Sequence, residues 1–163
     1  MTVYSNPSAR FGSVSMVTAT LGVNDPELGS RVIDSGKEYC FIYNAGNSQI
    51  SVGQGCVLNT AATSYSMTVT SVVQTDTLFG VCHNATITTG TYGWVVTKGI
   101  CAVMASAAVT IAPTEALILG ANGYFTNIIT SAAQATPYAK VVGKCIQTSA
   151  SASTIGIGYV IGG

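Results

Sequence analysis

The sequence alternates short apolar runs with clusters of Gly, Asn, Asp and Ser, and the runs carry the period of strands. From Ser66 to Gln74 (Ser-Met-Thr-Val-Thr-Ser-Val-Val-Gln), Met67, Val69 and Ser71 alternate with Thr68 and Thr70, which predicts a sheet with one buried face and one hydroxyl-covered face. Arg31–Ile33, the turn-like Asp34-Ser-Gly36 and Lys37–Tyr43 read as a hairpin, because Asp, Ser and Gly tolerate the positive φ of tight loops. Further strands are predicted over Thr77–Val81, Tyr92–Thr97, Ile100–Val109, Ala116–Leu119 and Tyr124–Ile129. Asn122-Gly123, set between two apolar runs, marks a second hairpin turn. The alanines of Ala102–Ala108 suggest helix, but the flanking Ile100 and Val109-Thr-Ile111, with Pro113 following, favour strands on both sides of a turn, and one helical turn is placed near 132–135. The pattern predicts an all-β fold, a compact β-barrel or β-sandwich.

Residues 1–26 carry Pro7, Gly12, Gly22 and Pro26 among Ser, Thr and Asn, with scattered apolar positions, and read as an extended N-terminal arm. Residues 27–163 form a single all-β domain. An arm has no core of its own, so Tyr4 and Phe11 are candidate contacts with another subunit, with Arg10, Asp25 and Glu27 beside them. Glycine precedes cysteine by one or two positions at Gly55-Cys56, Gly80-Val-Cys82, Gly99-Ile-Cys101 and Gly143-Lys-Cys145, in steps too unequal for a repeat. Glycine there lets backbone approach or bends a strand, and a small buried thiol fills the gap.

Composition narrows the function. Of 163 residues 48% are hydrophobic and only 7% charged, and six basic residues balance six acidic ones. With a mean hydropathy of +0.46 the chain is not a disordered one. Its surface must be Ser, Thr, Gly, Asn and backbone, which repels little and associates readily. Six dispersed Lys and Arg make no face for nucleic acid. The longest apolar run, Ile100–Ile111, is too short for a membrane helix, and the first residues have no leader pattern, so an intracellular product is expected. Five cysteines without a C-x-x-C pair suggest neither a disulfide framework nor a zinc site but buried thiols.

Chemistry is sparse. His83 is the sole imidazole, and on a strand its neighbour Cys82 faces the opposite way, which argues against a nucleophilic dyad. Of Asp25, Glu27, Asp34, Glu38, Asp76 and Glu115, most fall in turn-like or flanking contexts, and Asp25-Pro-Glu27 lacks the oxygen spacing of a calcium loop. Gly53-Gln-Gly55 and Gly156-Ile-Gly158 have neither the Lys-Ser/Thr nor the helix start of a phosphate loop. No catalytic, cofactor or metal-binding residues are expected. Tyr39, Phe41 and Tyr43 alternate, which favours a core face.

Leu28-Gly-Ser-Arg-Val-Ile-Asp-Ser-Gly-Lys-Glu-Tyr-Cys-Phe-Ile-Tyr-Asn-Ala-Gly46, followed by Val52-Gly-Gln-Gly-Cys56, resembles the opening of tailed-bacteriophage virion proteins, notably head decoration (cement) proteins. Tyr92-Gly-Trp-Val-Val-Thr-Lys-Gly-Ile-Cys-Ala-Val103, and Val142-Gly-Lys-Cys-Ile146 before a closing strand, are similar to the second half of such chains, so the resemblance spans residues 20–163. The chain departs from the group in having more cysteine and less charge. The resemblance implies an all-β protein, made in the host cytoplasm, that sits on the outside of an icosahedral head as a trimer or dimer, with trimer favoured. Its implied partners are the major capsid protein and itself, with no nucleic acid, membrane or cofactor. It carries over structural positions alone: Gly29, Gly36 and Gly93 at turns, Tyr39 and Trp94 packed. A tail or host-recognition module that binds glycans on exposed aromatic residues such as Trp94 is the alternative.

Overall fold

The computed structural model describes residues 3–4, 13–23, 25–59, 65–69, 77–107, 109–127, 141–147 and 155–162. These residues form one sheet of β1 (Val3–Tyr4), β2 (Val17–Thr18), β3 (Arg31–Asp34), β4 (Lys37–Asn44), β5 (Gly55–Leu58), β6 (Ser66–Thr68), β7 (Gly80–Cys82), β8 (Tyr92–Met104), β9 (Ala116–Leu119), β10 (Phe125–Asn127), β11 (Val141–Gln147) and β12 (Ile155–Ile161). The all-β expectation holds, and the pairing decides between barrel and sandwich. Strand β4 pairs with both β6 and β8, so β4-β6-β5-β7-β8 closes into a five-stranded ring. From β8 the sheet continues through β12, β11, β9 and β10. It returns to the end of β8 through the Ala105–Phe125 bridge and a 2.8 Å bond from the Ser106 N–H to the Phe125 carbonyl. Strand β8 is thus a wall shared by two curled halves.

Local chemistry sets the corners. The β3–β4 hairpin turns through Ser35 (φ 49°) and Gly36 (φ 76°), with Asp34 opposite Lys37, the two-residue loop that suits the right-handed twist of its strands. Between β9 and β10, Leu119 opposes Phe125, and Asn122 (φ 55°) and Gly123 (φ 75°) turn the chain in a short 3-10 segment. Runs expected as two strands, Tyr92–Thr97 and Ile100–Val109, are one thirteen-residue strand that ends at Met104. A register shift opposite Glu38–Tyr39 places a bulge in it, which re-aims its side chains without ending it. Gly93, expected at a turn, lies inside β8 opposite Ile42, with the Ile87 side chain where a Cβ would stand. Of the Ser66–Gln74 run, β6 occupies 66–68 and residues 70–76 lie outside the described residues, as does the helical turn placed near 132–135.

The strands bury both faces. Inside the closed ring Cys40, Ile42, Cys56, Met67, Cys82 and Val95 form one cluster. The alternate residues of the same strands, Tyr39, Phe41, Trp94 and Val96, join Cys101, Val103, Leu117, Leu119, Phe125 and Val160 in a larger one. Period 2 produces this division directly. A five-stranded ring is narrower than the eight-stranded barrel that ordinary side chains fill, so small thiols fit its interior.

The first residues join the same sheet. β1 runs parallel to β3, and β2 runs antiparallel to the start of β8, with Val17 opposite Gly93. Val14 and Met16 pack against the larger cluster and Val17 against the ring interior.

Two glycine turns separate conformational strain from crowding. A Cβ on Gly36 meets nothing within 4 Å, whereas one on Gly123 overlaps the Gly55 carbonyl oxygen. Gly36→Ala is expected to cost about 1–2 kcal/mol, the left-handed strain alone. Gly123→Ala adds about 1–3 kcal/mol of overpacking. Urea unfolding of both variants checks the order.

Candidate functional site

Most of the groups with chemical potential are engaged in structural bonds or buried. His83 is half-buried, and its Nδ1 accepts the Ala102 N–H at 3.2 Å, which assigns the Nε2–H tautomer. Burial, assisted by the Lys37 charge, lowers its pKa from 6.5. The Cys82 thiol donates to the Ala85 carbonyl at 2.9 Å, so it shares no bond with His83. All five thiols are buried. Burial pushes Cys40 up to about 11 and Cys82 and Cys101 up to about 12, and it also raises Cys56. Such thiols hold almost no thiolate at neutral pH and are poor nucleophiles.

Three carboxylates, Glu38, Glu115 and Asp25, are likewise engaged. Glu38 pairs with Arg31 and accepts the Thr97 hydroxyl at 3.2 Å. Glu115 accepts the Ala112 N–H at 2.7 Å and the Asn127 amide at 2.8 Å, and Asp25 accepts the Gly22 N–H at 2.6 Å. Among the described residues no three His, Cys, Asp or Glu come together as a metal site.

The residues singled out in the sequence divide into two groups. Gly29 (φ 83°) lies under the Tyr65 ring, while Gly36, Asn122 and Gly123 occupy the turns above. Tyr39 and Trp94 are each 3% exposed. Trp94 lies 5.1 Å from Phe41, ring to ring, so it is not available to stack on a sugar, and its Nε1 finds no acceptor among the described residues. Of the arm residues, Tyr4 is placed by its backbone opposite Val32, and Arg10 and Phe11 lie outside the described residues. Asp25 is half-buried and Glu27 exposed.

What the sequence reading missed is the outer face of the sheet beyond the β8 bulge. Up to Thr97 the residues of β8 are covered on both sides; beyond it Lys98 and Ile100 are exposed while Gly99, Cys101 and Val103 are buried. Register continues that face across strands. Ile100 opposes Tyr159, which opposes Lys144, and Lys98 opposes Ile161 on one side and Glu38 on the other. Ile100 is 50% and Ile161 60% exposed, and Ile146 stands exposed on β11. A continuous apolar run does not say which face is open, but β12 held one signal. Gly156 and Gly158 share its buried face with Val160, and Tyr159 and Ile161 are the larger residues left to face outward.

This is an all-β framework with an exposed face of apolar and basic residues on β8, β11 and β12. No protein-family model matches the chain, and no curated protein does. Among solved structures the chain is similar to the N base of head fiber gp8.5 of bacteriophage phi29, with a TM-score of 0.53 and 12% identity over 75% of this chain and 93% of that one. At that identity the shared property is the fold.

Two measurements test the site's chemistry. Trp94→Phe keeps a ring against Phe41 and removes a stranded donor, so unfolding free energy is expected within about 1 kcal/mol of wild type, against a loss of about 3–5 for Trp94→Ala. Protonating His83 breaks its bond to Ala102. Because its folded pKa lies below 6.5, its contribution is complete above that pH and is lost as pH falls from 6.5 toward the folded value. Urea midpoints are expected to drop over that interval more in wild type than in His83→Gln.

Proposed function

We propose that the chain is a non-enzymatic structural protein of a tailed-phage virion, a decoration (cement) protein that binds the outer surface of the head as a homo-oligomer and braces contacts of the major capsid protein. The observation that carries this reading is the fold it shares with the phi29 head fiber base over 93% of that chain. The motif resemblance to head decoration proteins, from Leu28–Gly46 through Val142–Ile146, points the same way. The physics suits the task. A surface with 7% charged residues loses few ion hydration shells when it is covered. Contacts of about 1,000–2,000 Å² are individually specific, and several in one oligomer reinforce each other through effective concentration. Such a role needs no reactive group, in keeping with thiols and an imidazole engaged in structural bonds. Buried Trp94 removes one candidate platform from the glycan-binding alternative.

Co-sedimentation with matched empty heads lacking the protein tests the reading. Saturable binding at a stoichiometry set by the lattice is expected, and absence of binding overturns it. Deleting residues 1–12 keeps Val14, Met16 and Val17 against the core, so it isolates the arm carrying Tyr4, Arg10 and Phe11. Reduced occupancy with unchanged far-UV circular dichroism is expected, and unchanged occupancy removes the arm from the contact.

A further inference from the structure

The exposed face beyond the β8 bulge is apolar and basic. Ile100, Tyr159, Ile161 and Ile146 surround Lys98 and Lys144, and β8, β11 and β12 hold no carboxylate. Of the carboxylates that flank these strands, Glu38 is paired with Arg31, and Glu115 accepts the Ala112 N–H and the Asn127 amide. A second exposed apolar cluster has the opposite sign. After β2 the chain presents Leu21 and a fully exposed Val23, followed by Asp25 and an exposed Glu27, and no Lys or Arg lies between Phe11 and Ser30. These two clusters belong to opposite ends of β8, since β2 pairs with Tyr92 and Gly93 whereas the basic face begins at Lys98. Along an extended strand, Tyr92 to Ile100 spans on the order of 25 Å.

We propose that these two surfaces are the halves of one interface, in which the acidic Leu21–Glu27 segment of one copy of this chain docks on the basic face of β8, β12 and β11 of the next. Charge decides the pairing. A two-fold contact of the basic face with itself sets Lys98 and Lys144 against their own copies, and like charges across an interface cost several kcal/mol. Contact with the acidic segment opposes unlike charges and covers both sets of apolar side chains. Because the two surfaces differ, the contact is head-to-tail; such contacts form a ring where the rotation between copies closes and an open filament where it does not, and the ring is the arrangement proposed. The proposal deepens the homo-oligomer of the reading above, and it stands or falls without the head.

The test is the solution mass of the full-length protein by light scattering over about 1–100 µM. A fixed multiple of 16.6 kDa is expected for wild type. Ile100→Asp with Ile161→Asp is expected to give a single-chain mass with unchanged far-UV circular dichroism. Leu21→Asp with Val23→Asp is expected to do the same from the other surface, and these residues lie outside any strand, so folding is spared. Lys98→Glu with Lys144→Glu is expected to weaken association at least tenfold, and adding Glu27→Lys to that pair to recover part of the loss. A wild-type mass of one chain, a mass that grows without limit, an undiminished oligomer in both aspartate pairs, or no recovery with Glu27→Lys overturns the proposal. A single-chain protein that still binds heads removes this contact and leaves the head reading intact; an oligomer indifferent to heads does the reverse.

Discussion

Strand β8 has to find hydrogen-bond partners on both edges for thirteen residues, and the rest of the architecture follows from how it does so. β4 lies against Tyr92–Lys98, and β2, β7 and β12 take successive stretches at Tyr92–Gly93, Val95–Val96 and Lys98–Met104. Where strands run out, other groups substitute. The Ala102 N–H goes to the His83 imidazole and the Met104 N–H to the Gly53 carbonyl at 2.8 Å. The histidine thus completes a strand edge. Residues of the predicted arm do the same at the other end, where Val17 and Thr18 continue the ladder past β7.

Satisfying β8 in this way also determines what can sit inside. A ring of five strands brings opposite walls close, and Cys40, Cys56 and Cys82 meet in its interior with Met67 and two β-branched residues of its walls, Ile42 and Val95. The glycines beside the cysteines act on the adjoining backbone: a Cβ on Gly80 would stand 2.7 Å from the Val95 side chain. The thiols are therefore packing atoms whose acidity has been suppressed by their surroundings, which explains why a cysteine-rich chain holds no cysteine in a reactive setting among the described residues.

Much of the fold could be read from residue order. Asp34-Ser-Gly36 and Asn122-Gly123 are turns because their chemistry is local, and β4 and β9 sit where apolar runs predicted them. The unity of β8 was not readable, since Gly99 has the signature of a break and its continuity depends on β4 and β12 lying alongside. Gly93 misled for the same reason: its small size answers to Ile87 across the ring and not to a turn. The exposed face was hidden more deeply. Ile100 has the same neighbours in sequence as a core residue, and only the register of β12 and β11 shows that nothing in its own ring covers it. Tyr4, in contrast, was set apart by the absence of a core in its own segment, and its backbone pairs at the edge of β3.

Sharing one wall between two curled halves has a kinetic side. The partners that close the architecture lie about 50–60 residues from β8 in either direction, so few of its decisive contacts form early and chain search dominates the approach to the native state. The same arrangement slows the reverse journey. Complete unfolding requires β8 to be released by both halves, so loosening one of them leaves the common strand paired to the other. Persistence of the folded form then depends on the height of a barrier more than on the depth of a well.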